Sequence, residues 1–147
     1  MKLFTTLFVI LPLLVCGLLY YLSMTSTAPK LGVRDHHLLP CTNSGACVTS
    51  ESAFGADLDP LNASESKYWE RLPEVVRQDG GKIRSDTFGY IHATYTSTVF
   101  RFVDDIEFRL DEAGRVIHVR SSSRVGKSDL GANRRRVERI RARLRDS

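Results

Sequence analysis

Residues 98–133 read TVFRFVDDIEFRLDEAGRVIHVRSSSRVGKSDLGAN. Side chains alternate along a strand, so Phe100, Phe102, Asp104, Ile106, Phe108 and Leu110 share one face of 98–110. Val99, Arg101, Val103, Asp105, Glu107 and Arg109 share the other. Asp111, Glu112, Ala113 and Gly114 supply a hairpin turn, and 115–121 pairs back. A polar loop follows, with Gly126 and Gly131 allowing tight turns before a basic helix. An antiparallel hairpin feeding a helix is thus the organising unit.

Alternation separates Asp104 from Asp105, so they are not a side-by-side pair for acid–base chemistry. Asp104 lies in an otherwise apolar row, where a carboxylate must be paired or hydrogen-bonded. Arg120, Arg124, Arg134, Arg135 and Arg136 are nearby partners in sequence, and arginine grips carboxylates bidentately. Asp104, Asp105, Asp129 and Arg136 are assigned to a structural network. A glycine-containing loop entering a helix N-terminus also suits an anion. Arg120, Ser121, Ser123, Arg124, Asn133 and Arg134 are therefore the candidate ligand residues. A hydrolytic alternative would combine a serine with His92 or His118 and Asp104, although no G-x-S-x-G element is present.

Working outward, 82–87 and 90–97 are further strand candidates, the second rich in β-formers. Tyr68, Trp69, Leu72, Val75 and Val76 recur at helical spacing within 62–79. Asn62 and Glu65 match a capping box, and Pro73 predicts a kink or two short helices. Leu130, Asn133, Val137, Ile140 and Leu144 give a stripe on a helix over 129–145, capped by Ser128 or Asp129. The expected fold is α+β: an antiparallel sheet from 82–121 with one face covered by two helical segments, preceded by one transmembrane helix.

That anchor is predicted because residues 3–22 carry no charge, and about 20 residues span a bilayer. A cleaved signal peptide is the alternative, with Ser26-Thr27-Ala28 as its only plausible site. The expected division is an anchor at 1–23, a tether at 24–40 and a domain at 41–147. Cys41 and Cys47 are the two cysteines of the soluble part, and an even pair outside the cytoplasm predicts a disulfide. His36 and His37 lie close by, but the spacing does not suit zinc, so neither metal nor cofactor is expected.

Residues 51–114 carry 7 basic and 13 acidic residues, whereas 115–147 carry 11 basic and 3 acidic. Such asymmetry marks either a charged tail or two halves that pair within one fold. An outward-facing domain favours pairing, and no nucleic-acid partner is expected. Asn62-Ala63-Ser64 matches a glycosylation acceptor, relevant only in a eukaryotic secretory route.

The run from Phe102 to Phe108 (FVDDIEF) and the run from Val119 to Arg134 (VRSSSRVGKSDLGANR) resemble the domain of unknown function family 1499. Cys41-x5-Cys47-Val48-Thr49-Ser50 resembles that family's opening element, without its usual prolines and asparagine between the cysteines. The resemblance covers roughly 41–144. It implies a small envelope-associated domain and little about activity. The sequence therefore predicts a single-pass protein of the cell (inner) membrane, held through residues 3–22, with its domain periplasmic. The expected role is non-enzymatic: binding an envelope partner or a small anionic ligand, or building structure.

Overall fold

The computed structural model describes residues 2–51, 53 and 55–146, with side chains from residue 10 onward. Its elements are α1 (Lys2–Met24), β1 (Val33–Arg34), β2 (His37–Leu38), β3 (Cys47–Thr49), β4 (Leu61–Asn62) and α2 (Ser66–Gln78). There follow β5 (Lys82–Thr87), β6 (Tyr90–Thr96), β7 (Val103–Asp111), β8 (Val116–Ser123) and α3 (Ala132–Arg145). The architecture is α+β. The main sheet runs β3-β8-β7-β6-β5, with β4 also pairing to β8, and every pairing is antiparallel. β1 and β2 form a separate hairpin.

The β7–β8 hairpin sets the register of everything else. Asp104 lies opposite Ser123, Glu107 opposite Arg120, and Asp111 opposite Val116. The apolar face carries Ile91, Ala93, Ile106, Phe108, Ile117 and Val119, all fully buried. Leu72, Val75 and Val76 of α2 and Val137, Ile140 and Leu144 of α3 close over it. Trp69 packs against the edge of this cluster. Gly81 lets β5 leave α2 closely: a Cβ there would lie 2.6 Å from Val76 Cγ1 and 2.9 Å from Tyr95 Cζ.

Several details of the elements differ from the sequence reading, among them the last helix, which begins at Ala132 and not at Asp129. The long strand begins at Val103, not Thr98, because β6 and β7 are antiparallel neighbours and the chain must reverse between them. Residues 97–102 make that reversal, closed by Ser97 N–H to the Phe102 carbonyl and Phe102 N–H to Ser97 Oγ. The second helix starts at Ser66. Asn62 belongs to β4, and its Oδ1 accepts the Ser64 N–H in a local turn instead of capping a helix. Pro73 removes one i→i−4 bond but does not divide α2, whose apolar face is anchored on the sheet.

The expectation of one covered face needs correction. The second face of the sheet is also covered, by residues 30–39 and the segment around Glu51. Leu38 is fully buried, and Glu51, Asp105, Glu107 and Arg120 are all nearly so. Residues 24–40, read as a tether, contain the β1–β2 hairpin and form part of this cover. The physical reason lies in charge pairing: each buried carboxylate meets an arginine, so this face does not need water.

α1 has 23 residues, and Ser23 Oγ near its end donates to the Arg101 carbonyl. Among the described residues no helix is long and apolar enough to cross a membrane. The first part of the expected span, residues 3–9, lies outside the described side chains.

Phe108 is among the largest fully buried side chains. Phe108→Ala should destabilise the domain by about 3–5 kcal/mol, read as a lowered urea midpoint with an unchanged slope.

Candidate functional site

On the helix side of the sheet, Asp104 ends the apolar row of β7 and accepts from Arg136 of α3. Arg136 also donates to Ser121 Oγ at 3.1 Å and Asn133 Oδ1 at 2.6 Å. Its guanidinium stacks 4.4 Å above the Tyr95 ring centroid. Asn133 is fully buried and is the hub of this side. Its Oδ1 accepts from Ser121, and its Nδ2 donates to the Ala46 carbonyl and Ser123 Oγ.

The loop before α3 is fixed from both ends. Asp129 accepts the Gly131 N–H at 2.9 Å and the Asn133 N–H at 2.7 Å, which satisfies donors at the helix start. Burial pushes the Asp129 acid up, but these N–H groups outweigh it and hold its pKa below the ordinary value. The Cys41–Cys47 disulfide closes a loop that docks here. Asn43 donates to the Gly126 carbonyl, and Asp129 N–H donates to the Gly45 carbonyl. A Cβ on Gly45 would collide with the Lys127 carbonyl, so only glycine allows this approach.

The opposite face carries three carboxylate centres. Asp105 takes a bidentate grip from Arg124 at 2.7 and 2.9 Å and contacts His92 Nε2 at 2.9 Å. Glu107 accepts from Tyr90 Oη at 2.8 Å and the Gly32 N–H at 2.6 Å, and pairs with Arg120 at 3.1 Å. Glu51 takes a bidentate grip from Arg109, accepts the Leu38 N–H at 3.0 Å, and lies 3.0 Å from His37 Nδ1. Burial raises the Glu51 acid, but Arg109, His37, Leu38 N–H and the nearby His118 outweigh it and bring the pKa down to about 2. Burial likewise raises Asp105, and the bonds from Arg124 and His92 prevail to lower it. Burial and the Glu107 carboxylate together push the Tyr90 phenol well up, so it stays a donor.

The six candidate ligand residues do not converge. Ser121, Ser123 and Asn133 lie on the helix side; Arg120 and Arg124 lie on the other face, paired with Glu107 and Asp105. Arg134 is exposed and donates to the Asp57 carbonyl. The structural quartet is likewise split: Asp104, Asp129 and Arg136 serve the helix side and Asp105 the other.

The Ser/His/Asp alternative is not assembled from Asp104, since His92 and His118 contact the opposite face. The nearest arrangement is Ser50 Oγ, 3.4 Å from His118 Nδ1. The Asp111 carboxylate is 3.9 Å from His118 Nε2, beyond hydrogen-bond range. Ser50 Oγ is buried and accepts the Val119 N–H at 2.8 Å, so it is held by the backbone rather than offered to a substrate. Among the described residues no group of His, Cys, Asp or Glu could hold a metal ion.

Sequence reasoning passed over Glu51, Tyr90 and Arg109 as partners. Arg109 and Glu107 had a usable signal: a hairpin turning near Gly114 places Glu107 opposite Arg120 and Arg109 opposite His118. Glu51 had none, because the hydrogen-bond partners of its carboxylate lie 13 to 58 residues away.

A two-layer α+β domain with a charged cover over its second sheet face is the class this geometry defines. The chain matches the family model described as Protein of unknown function (DUF1499) over residues 37–144, and it belongs to that family. The match begins at His37, within the β1–β2 cover. No curated protein matches the chain.

Glu51 and Asn133 give separate tests of the two faces. A carboxylate held below its ordinary pKa stabilises the fold above that ordinary value and loses the contribution as pH falls through the folded one. For Glu51 the window runs from 4.5 down to about 2. Glu51→Gln should leave Arg109 unpaired, costing about 3–5 kcal/mol at neutral pH, and flatten the fall in stability across that window. Guanidinium melts at stepped pH would show both effects. Asn133→Ala should strip the buried Ser121 hydroxyl of its acceptor and remove one of the Arg136 acceptors, and cost about 1–3 kcal/mol, measured by the same melts at pH 7.

Proposed function

We propose that this is a membrane-anchored, extracytoplasmic domain acting as a non-enzymatic binding or structural module of the cell envelope. One observation carries the non-enzymatic reading. The buried charges of the two runs that resemble the family are already paired, with each other in Asp105–Arg124 and Glu107–Arg120 and with Arg136 of α3 in Asp104–Arg136, and the buried Asn133 amide is bonded to Ser121. Catalysis needs a base within reach of an available nucleophile. Ser50, the serine beside His118, is buried and bonded to backbone.

Two features support the placement. Residues 3–22 form an uncharged stretch as long as a bilayer span requires. The Cys41–Cys47 bridge suits an oxidising compartment, which for this topology is the periplasm. The partners are then the inner membrane itself and an envelope component or small anion, not nucleic acid.

The full chain expressed in a Gram-negative host should stay with membranes after an alkaline wash. A membrane-impermeant maleimide should label Cys41 and Cys47 in intact spheroplasts only after reduction. Labelling of both thiols before reduction, or release by the wash, would overturn the placement. Hydrolysis of a p-nitrophenyl ester by the wild type but not by Ser50→Ala would replace the module with an enzyme.

A further inference from the structure

A cavity away from the 124–131 loop lies beside the segment that leaves α1. It has a volume of ≈ 440 Å³ and is lined by Pro29, Lys30, Arg34, Leu39, Pro40, Thr42 and Arg120. Its walls combine two chemistries. Pro29, Leu39 and Pro40 are apolar; Lys30, Arg34 and Arg120 are cationic; no acidic side chain lines it. Such a mixture fits a ligand with an anionic head and an apolar body.

The two outer cations are free to serve. Lys30 and Arg34 are exposed, and neither side chain has a partner among the described residues. Arg120 forms the inner end. It is only 3 % exposed, and its guanidinium is held by the Lys30 and Leu39 carbonyls and by Glu107. Yet its Nε has no hydrogen-bond partner. A buried guanidinium N–H left unsatisfied costs free energy, and native structures rarely leave one without a reason. Glu107 already offsets part of the Arg120 charge, so the site favours a singly charged head held mainly by Lys30 and Arg34.

Position supports the choice of ligand. Lys30 is six residues beyond Met24, the end of α1, so the cavity lies within about 20 Å of the helix end along even a fully extended chain. If residues 3–22 span the bilayer, the cavity is within reach of the lipid headgroups. The geometry points to binding of an anionic amphiphile, a phosphate-type head joined to an apolar body, between Lys30, Arg34 and Arg120. This rests on the module being a binding one, and it moves the ligand from the loop–helix junction to the cover of the charged face.

The test uses the full chain purified in a neutral detergent, so its outcome does not depend on whether α1 spans a membrane. Native mass spectrometry is run with phosphatidylglycerol, with phosphatidylcholine, and with phosphatidylglycerol in the presence of millimolar inorganic phosphate. Phosphatidylglycerol should be retained in preference to phosphatidylcholine. Lys30→Glu with Arg34→Glu should weaken that retention by about tenfold or more, the scale of one charge-assisted contact. Both residues are exposed, so the thermal midpoint of the double variant should stay near the wild type's, which separates lost binding from lost folding. Equal retention of the two lipids, or retention unchanged in the double variant, would overturn the proposal. Full displacement by inorganic phosphate would also overturn it, by assigning the site to a free anion. Failure of the alkaline-wash experiment alone would instead remove the membrane placement and leave this binding result standing.

Discussion

Successive residues of a strand project to opposite faces, and on β7 this sends Asp104 and Asp105 into two different environments. Asp104 meets Arg136 and ties α3 to the sheet. Asp105 meets Arg124 and His92 beneath the other cover. An uninterrupted register on both sides of β7 is what makes this possible. A shift of one residue would put Ile106 and Phe108 among the charges and Glu107 into the core.

The same alternation builds a sheet whose two faces are buried by different physics. The helix side excludes water through apolar packing. The other side excludes it through matched charge, with Glu51, Asp105 and Glu107 each engaged by an arginine. Buried pairs are not a general source of stability, because desolvation offsets much of the attraction. Their stronger effect is conditional: once one partner is buried, loss of the other leaves an uncompensated charge. Here they fix which segment can lie on the sheet. Gly32 N–H reaches Glu107, and Leu38 N–H reaches Glu51. The chain between α1 and the disulfide is thereby held as part of the domain, and its backbone carbonyls in turn hold Arg120.

The disulfide loop meets the loop before α3 for the same kind of reason. The disulfide loop and the 124–131 loop are distant in sequence, but β3 pairs with β8 and carries the first beside the second. Asn133 then bonds across to Ala46, so the helix start, strand β8 and disulfide loop share one buried amide. Four backbone or side-chain partners on a single residue explain why an amide stands on an apolar stripe. The charge imbalance between the halves of the chain resolves likewise, as Arg120, Arg124, Arg136, Arg139 and Arg143 find Glu107, Asp105, Asp104 and Asp79.

What the sequence determined by itself was local and periodic. Alternation over 103–110 separated the two aspartates, the turn near Gly114 set the hairpin, and three-and-four spacing placed Val137, Ile140 and Leu144 inward. The role of Asp129 at the helix start was legible in part, since its carboxylate takes the Gly131 and Asn133 N–H groups although the helix begins at Ala132 with Gly131 as its N-cap; the Cys41–Cys47 pair was legible because its partners lie within a few residues. Only the tertiary structure decided that the polar face is buried, that Glu51 completes it, and that 30–39 is cover rather than tether. Those outcomes depend on partners tens of residues apart, such as Glu51 with Arg109 and Gly32 with Glu107. A carboxylate's sequence neighbours say whether it can be buried on a given face. Whether it is buried depends on which arginine the completed sheet brings opposite it.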